Sequence, residues 1–272
     1  MSTPHVTTPT TTAQPTDRER SVVDRALNIL GVFDQDNRSL TLSEISRRAG
    51  LPVATAHRIV HKLQDWGALE RRPDGRYSIG LKLWEKGNLS PRCSNLAETA
   101  KPYLVELHRR SAAGAALAIR DGDESVCLSM LTNDPAMIAL ASAPGDRLPL
   151  HATAAGLLLL AHAGEPLQNE VCAGPLRRYT AVTTTDGSVL QQQLASVRRA
   201  GYAVADGTLV DGRGAVAAPV RDPQGSVIAA VCVVAHREAF QPLRQVPLVL
   251  TAADAVSRRI QADAGRVTAL DI

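Results

Sequence analysis

The chain of 272 residues has few aromatic side chains and no closely spaced cysteines. Phe, Trp and Tyr make up 3% of the residues, which argues against a surface that stacks single-stranded bases on rows of rings. The four cysteines include no C-x-x-C pair, so we expect neither a disulfide framework nor a thiolate zinc site. This use of cysteine is typical of a reducing compartment such as the cytoplasm.

Long apolar runs and a strong excess of one charge are lacking as well. No apolar run approaches the roughly 18 residues that span a membrane, and the first residues hold neither a basic head nor an apolar stretch. We therefore expect no membrane span and no secretory signal. A net charge of +3 excludes a histone-like composition. With 44% apolar residues the chain can bury a core, and its length is typical of two domains.

The charges are unevenly distributed along the chain. Residues 38–86 carry ten Lys or Arg and five Asp or Glu, a net charge of +5, whereas residues 87–272 carry 17 of each sign. A compact basic segment followed by a longer segment with no net charge indicates a domain that binds a polyanion, joined to a larger domain with a different function.

Residues 21–80 show the pattern of a winged helix-turn-helix. After a first amphipathic helix, Thr41 and Glu44 form a T-x-x-E capping box, and the helix that they start ends at Gly50. Pro52 then begins a second helix. The sequence ALERRPDGRYSIG follows and predicts a β-hairpin around its Pro-Asp-Gly turn, which completes the motif.

The second helix of this motif is the expected reader of the DNA major groove. Arg58 can bond guanine or a phosphate, Thr55 can bond a base edge, and the basic hairpin residues suit phosphate contacts. The predicted DNA-binding residues are Ser43, Val53, Ala54, Thr55, His57, Arg58, His61, Arg71, Arg72 and Arg76. The alternative, a winged helix that only binds proteins, is disfavoured by the basic excess.

The larger block alternates strands and helices, which indicates a mixed α/β domain of the sensor type. The predicted strands are AALAIR, ESVCLSML, AMIALAS, GYAVAD, GAVAAPV and SVIAAVCVVAH. The predicted helices are NLAETAKPYLVELHRRSA, which Pro102 interrupts near its start, AAGLLLLAHA, GSVLQQQLASVRRAG and the C-terminal LRQVPLVLTAADAVSRRIQADAG.

Patterns that would indicate enzyme, metal or nucleotide chemistry are weak. His57 and His61 have the spacing of a metal pair, but nothing nearby supplies a third ligand. The G-x-G-x-x-A match at 212–217 precedes a β-like segment with a proline, where a helix is required, so it reads as a loop that enters a strand. His151 has no companion nucleophile and is interpreted as structural or pocket-lining. We predict no catalytic residues, no metal and no cofactor.

Six stretches, in their order and spacing, resemble the IclR family of bacterial transcription regulators. They are SVVDRALNILGVF, LTLSEISRRAGLPVATAHRIVHKL, GRYSIGLKL, RLPLHATAAG, RRAGYAVADG and AVAAPVRDPQGSVIAAVCVV. The resemblance covers almost the whole chain after the Thr- and Pro-rich, disordered tail that we predict over 1–20. It implies an α+β protein with a winged helix-turn-helix DNA-binding domain over 21–80, a linker helix over 81–95 and a GAF-like effector-binding domain over 96–265.

The resemblance also implies a pocket for a small effector. Its wall would include Met137, Leu140, Leu148, Ala154, Ala155, Ala205, Arg213, Ala215, Cys232 and Val234. Ala205 stands where the family has an acidic residue, and Cys232 and Val234 stand where it has serines. Such a wall favours an aromatic or hydrophobic ligand, with an aromatic acid among the candidates, over glyoxylate or pyruvate. Arg213 either pairs with a carboxylate at the pocket mouth or points to solvent.

The sequence therefore predicts a DNA-binding repressor or activator of catabolic genes that a small molecule controls. Family members form homodimers or tetramers, so we expect binding to an inverted-repeat operator. Residues 22–33 and Trp84 are the expected dimer interface. Because Val53 and Ala54 replace the family's usual Lys-Ser, the operator preference should differ. The alternative is a ligand-independent DNA-binding or protein-interaction module with a degenerate sensor domain; an enzyme is disfavoured.

Overall fold

The computed structural model describes residues 21–34, 36–134 and 143–270. The chain divides into two compact units, with the boundary between Ser94 and Asn95. The tail predicted over 1–20 and the strand predicted for AMIALAS lie outside the described residues. Within the described ranges, no helix has the length and apolarity needed to cross a bilayer.

The N-terminal unit is a winged helix-turn-helix. Its elements are α1 (Val22–Leu30), α2 (Leu42–Ala49), α3 (Val53–Trp66), β1 (Leu69–Arg71), β2 (Tyr77–Ile79) and α4 (Leu81–Gly87). Ile29 of α1, Ile45 of α2 and Val60 of α3 are fully buried together, so one small core holds the three helices. Leu40 pairs with Tyr77 of β2 and ties the hairpin to that core.

The ends of α2 form as its sequence predicts. The Thr41 hydroxyl accepts from the Glu44 amide at 3.3 Å, and the Glu44 carboxylate accepts from the Thr41 amide at 2.7 Å. Gly50 closes the helix at φ +64°, a left-handed conformation that favours glycine. These two ends place α3 directly after a tight turn.

The C-terminal unit is one antiparallel sheet with helices packed on it. Its elements are α5 (Pro91–Ser111), β3 (Gly114–Asp121), β4 (Glu124–Leu131), β5 (Arg147–Pro149), α6 (Ala154–Ala161), α7 (Glu165–Ala173), α8 (Gly187–Ala200), β6 (Ala203–Asp206), β7 (Arg213–Arg221), β8 (Val227–His236) and α9 (Pro242–Leu270). The strand order is β5-β4-β3-β8-β7-β6. The almost wholly apolar α6 packs against the sheet, α8 packs on α6, and α9 packs along β7 and β8.

Three sequence predictions need correction. The single linker helix over 81–95 is two helices, because the Asn88 side chain bonds the Trp84 carbonyl at 2.8 Å and α5 starts anew at Pro91. Pro102 does not interrupt α5, which runs through it. The segment EPLQNEVCA forms α7, which the periodicity did not reveal.

Candidate functional site

The exposed face of α3 is the first candidate site. Ala56, Ile59 and Val60 are buried, which turns the remaining positions of the helix outward. The exposed residues that the sequence predicted for DNA are Val53, Ala54, His57, Arg58 and His61, with Thr55 half-buried and Ser43 exposed on α2. Because residues three and four apart share a face of a helix, these exposed side chains form one continuous surface on α3.

His57 and His61 lie one above the other on this face. Their ring centroids are 4.1 Å apart, and Nδ1 of His61 donates to the carbonyl oxygen of His57 at 2.9 Å. In the part of the chain that the structure describes, no three His, Cys, Asp or Glu side chains cluster as metal ligands. The pair therefore presents polar ring edges on the helix surface.

The hairpin of β1 and β2 forms the wing. Its turn is closed by the Arg72 amide, which donates to the Arg76 carbonyl at 2.8 Å, and Gly75 adopts φ +81°. Arg71 and Arg72 are exposed, and the Arg71 guanidinium carbon lies 6.0 Å from the centroid of the Tyr77 ring. Both cations therefore lie on the exposed surface of the wing.

Arg76 has a structural role that the sequence did not predict. Its Nη2 lies 2.8 Å from Oε2 of Glu44, and its Nε and Nη2 both donate to the carbonyl of Ser39, at 3.2 and 3.1 Å. Hydrogen bonds from the amide and hydroxyl of Thr41, with a smaller contribution from Arg76, lower the pKa of Glu44. Arg76 therefore ties the wing to the start of α2, where the sequence predicted a DNA contact.

The second candidate site is a cavity of about 120 Å³ between the sheet and the start of α6. Alternate residues of β3 and of β8 face it, as the period of two requires. Eight of the ten predicted effector residues line it: Leu148, Ala154, Ala155, Ala205, Arg213, Ala215, Cys232 and Val234. The other two, Met137 and Leu140, lie outside the described residues.

Small side chains create this cavity. Ala116 and Ala118 of β3 and Ala205 and Ala215 of β6 and β7 line it, and a larger side chain at any of them would enter the space. The sequence patterns did not identify Ala116, Ala118 and several other residues as part of the wall. The same alternation in β3 and β4 identifies them once these strands are known to cross the cavity. The lining residues not predicted are Ala116, Ala118, Ser125, Cys127, Met130, Ala152, Thr153, Thr208, Leu209, Val210 and Gly214.

The uncharged polar groups around the cavity are already engaged or remain neutral. The hydroxyls of Ser125, Thr153 and Thr208 donate to main-chain carbonyls, at 3.2, 3.1 and 2.7 Å. Burial raises the pKa of the Cys127 thiol to about 12 and also raises the pKa of the Cys232 thiol. Both cysteines therefore stay protonated, and the wall offers a ligand little free hydrogen-bonding capacity.

Arg213 is the one charged side chain among the described residues that line the cavity. It is 12% exposed, and its Nη1 lies 3.1 Å from Oδ2 of Asp134. The alternative in which Arg213 points to solvent is therefore wrong. Gly212 leads directly into β7 at Arg213, so the G-x-G-x-x-A match is a loop that enters a strand.

His151 is a buried structural residue. Its Nε2 donates to the carbonyl oxygen of Arg177 at 2.9 Å, and its ring centroid lies 5.8 Å from that of Tyr179. Burial lowers the pKa of His151, against a smaller opposing effect of the bond to Arg177. The imidazole is therefore neutral near pH 7, and it joins the loop before α6 to the segment after α7.

Comparison with known proteins finds a family model for each part of the chain. The family model of the IclR helix-turn-helix domain matches residues 22–73, and that of the bacterial transcriptional regulator IclR C-terminal domain matches residues 92–260. The HTH-type transcriptional regulator XynR of Escherichia coli K12 is 36% identical over 211 residues, which cover 77% of this chain and 83% of the relative. The transcriptional repressor AllR of Salmonella typhimurium LT2 is 30% identical over 228 residues, covering 81% and 82%.

A solved structure of an IclR homologue from Microbacterium hydrocarbonoxydans superimposes on the chain with a TM-score of 0.84 at 35% identity. The match covers 89% of this chain and all of that one. That protein was crystallised in complex with 4-hydroxybenzoate. An IclR protein from Thermotoga maritima gives a TM-score of 0.70 at 26% identity over 88% of this chain and 98% of that one.

Proposed function

The chain belongs to the IclR family of bacterial transcriptional regulators, DNA-binding proteins that respond to small molecules, and we propose that its effector is an aromatic or hydrophobic carboxylic acid. The observation that carries this proposal is the cavity itself, which has an apolar wall and a single guanidinium at its edge. An intact cavity in the sensor domain also speaks against the ligand-independent alternative.

The size and the chemistry of the cavity both favour such an acid. An engineered apolar cavity of about 150 Å³ accepts benzene, so about 120 Å³ is on the scale of one small ring. Each ligand oxygen buried against alanine without a partner would cost about 1–3 kcal/mol, which disfavours a compact oxoacid. A carboxylate next to Arg213 would gain a charge-assisted pair, while the rest of the ligand buries apolar area at about 25 cal/mol per Å². The homologue that holds 4-hydroxybenzoate supports the same class.

Calorimetry of the full chain tests the effector class. We expect benzoate or 4-hydroxybenzoate to bind and to raise the melting temperature, because a ligand that binds only the native state stabilises it by mass action. Glyoxylate and pyruvate should give neither signal. Tight binding of glyoxylate or pyruvate, with no response to the aromatic acids, would refute the proposal.

We propose that α3 reads the operator and that Arg58 contacts a base or phosphate from its exposed face. Its target implies that the protein acts in the cytoplasm, where the DNA lies. Arg58→Ala should weaken operator binding by about 1–3 kcal/mol and leave the melting curve unchanged. Arg199→Ala is the matched control, because it removes an exposed arginine from α8 in the other unit. Equal DNA affinities for wild type and Arg58→Ala, measured by fluorescence anisotropy, would remove α3 from this role.

We propose further that the protein is a homodimer held by its N-terminal helices. On α1, Val22, Val23 and Leu27 are 61%, 66% and 60% exposed, and Trp84 of α4 is 63% exposed. Large apolar side chains exposed at this density are typical of an interface. A symmetric dimer would also match an inverted repeat.

Light scattering at micromolar concentration tests this assembly. We expect a dimer, or a tetramer built from two dimers, for the wild type and a smaller species for Leu27→Glu. Ser188→Glu, which adds the same charge in the other unit, should leave the mass unchanged. A wild-type monomer with and without DNA would contradict the proposal.

A further inference from the structure

The end of the cavity wall carries an ion pair that the function proposed above does not use. Arg213 of β7 and His236 of β8 are register partners, two residues beyond Ala215 and Val234, which are partners in the same ladder. Because alternate residues of a strand face the same side, all four side chains lie on the cavity face of the sheet. Arg213 and His236 therefore form the rim of that face.

Asp134 joins these two side chains through one oxygen. Its Oδ2 lies 3.1 Å from Nη1 of Arg213 and 2.6 Å from Nε2 of His236. The backbone at Asp134 is held as well, because its amide donates to the hydroxyl of Thr132 at 3.1 Å. The carboxylate is thus fixed against the guanidinium, and its side chain is 29% exposed.

Arg213 stands between two spaces. On one side it lines the apolar cavity, and on the other it lines an outer cleft of about 520 Å³ together with Asn133, Asp134 and His236. A guanidinium that is 12% exposed needs a counter-ion, because a buried charge without a partner is strongly destabilising. Asp134 supplies that counter-ion on the cleft side when the cavity holds no acid.

We propose that an acidic effector must either displace the Asp134 carboxylate from Arg213 or bind close beside it. Asp134 thereby sets the affinity and charge selectivity of the effector site. This inference rests on the proposed effector class. A ligand carboxylate that pairs with Arg213 comes close to Asp134, and two carboxylates that share one guanidinium repel each other. Only acids whose apolar part gains enough in the cavity would then bind. The carboxylate at this position would keep small, weakly held anions out.

Calorimetry on the full chain tests whether Asp134 opposes the binding of a ligand carboxylate. The two probes, benzoate and the neutral benzamide, have nearly the same shape. Asp134→Asn keeps a hydrogen-bond acceptor for Arg213 and removes the repulsion, so we expect it to bind benzoate about tenfold tighter and benzamide unchanged. Asp211→Asn is the matched control, because it removes an exposed carboxylate two residues before Arg213, and both affinities should stay at wild-type values. Weaker or unchanged benzoate binding by Asp134→Asn, or an equal gain for both probes, would overturn the proposal.

A second measurement separates this inference from the effector class. If neither probe binds wild type or variant, the effector class is wrong, and the pairing of Asp134 with Arg213 is then tested by thermal unfolding. Asp134→Asn and Arg213→Met should each lower the melting temperature, and the double variant should lose less than the sum of the two. Additive losses would show that Asp134 is not the counter-ion of Arg213 and would overturn the proposal on their own.

Discussion

Replacement of Ala215 by leucine is the substitution that tests the cavity most sharply, because it fills the space from within a strand. Ala215 faces the cavity from β7, between its register partners Ala205 of β6 and Val234 of β8. The three added carbons extend into the space that we assign to the effector. The main chain of β7 and the opposite face of the sheet are left untouched.

The magnitude follows from the cavity volume. An unfilled cavity costs about 24 cal/mol per Å³, so about 120 Å³ corresponds to about 3 kcal/mol. A single leucine fills part of this volume in a fixed shape, and we expect a gain of about 1 kcal/mol in the free energy of unfolding. For a unit of this size that gain raises the melting temperature by about 2–4 °C.

Ala218→Leu is the matched control. It makes the same change three residues along β7, where the side chain is fully buried and is not part of the lining of this cavity. Overpacking at such a site typically costs about 1–3 kcal/mol. The two variants should therefore shift the melting temperature in opposite directions.

Thermal melts of both variants, with and without benzoate, give the result. Ala215→Leu should melt at or above the wild-type temperature and show no ligand-induced shift. If Ala215→Leu is destabilised as much as Ala218→Leu, then the cavity is not an open space in solution. If the ligand shift persists in Ala215→Leu, the effector binds elsewhere.

Three further predictions concern stability. A Cβ at Gly80 would clash with the carbonyl oxygen of Gly67, so Gly80→Ala should cost about 1–3 kcal/mol of stability in denaturant unfolding. Gly87→Ala, whose added Cβ would meet nothing within 4 Å, should be nearly neutral in the same measurement. The lowered pKa of Glu44 stabilises the folded chain above pH about 4.5, and this stability is lost as the pH falls further. The melting temperature of Glu44→Gln should therefore decrease less on acidification than that of the wild type, and an equal decrease would contradict this. Burial lowers the pKa of His151 in the folded chain, so below pH about 6.5 the unfolded chain binds a proton at this residue more readily than the folded chain does. The wild type therefore loses stability as the pH falls, and His151→Gln should lose less stability than wild type between pH 7 and 5.

Much of the N-terminal unit could be predicted because its signals are local. The capping box of Thr41 and Glu44 and the left-handed Gly50 depend on residues within a few positions of one another, and the structure contains both. The role of Arg76 could not be found in this way. Its partners, Ser39 and Glu44, lie 37 and 32 residues away in the chain. Without the structure, a basic residue in a wing is most simply interpreted as a phosphate contact.

The cavity was predictable in part, and only through the family resemblance. Periodicity identifies β3, β7 and β8 as strands but does not reveal which strands lie side by side, so Ala116 and Ala118 were not identified as cavity-lining residues. The direction of Arg213 was also left open, because its partner Asp134 is 79 residues away in the chain. Pairings between distant residues are set by the sheet order, which no local pattern encodes.

The central claim is that occupancy of the cavity changes the affinity of the winged helix for DNA. The direct measurement is the anisotropy of a labelled duplex, selected by this protein from a random-sequence library, titrated with and without saturating benzoate. Couplings of this kind are typically about 1–3 kcal/mol, so we expect the DNA Kd to change by about 5- to 150-fold in wild type and to stay constant in Ala215→Leu. A wild-type DNA Kd that does not change, at a benzoate concentration where calorimetry shows the cavity filled, would contradict the account.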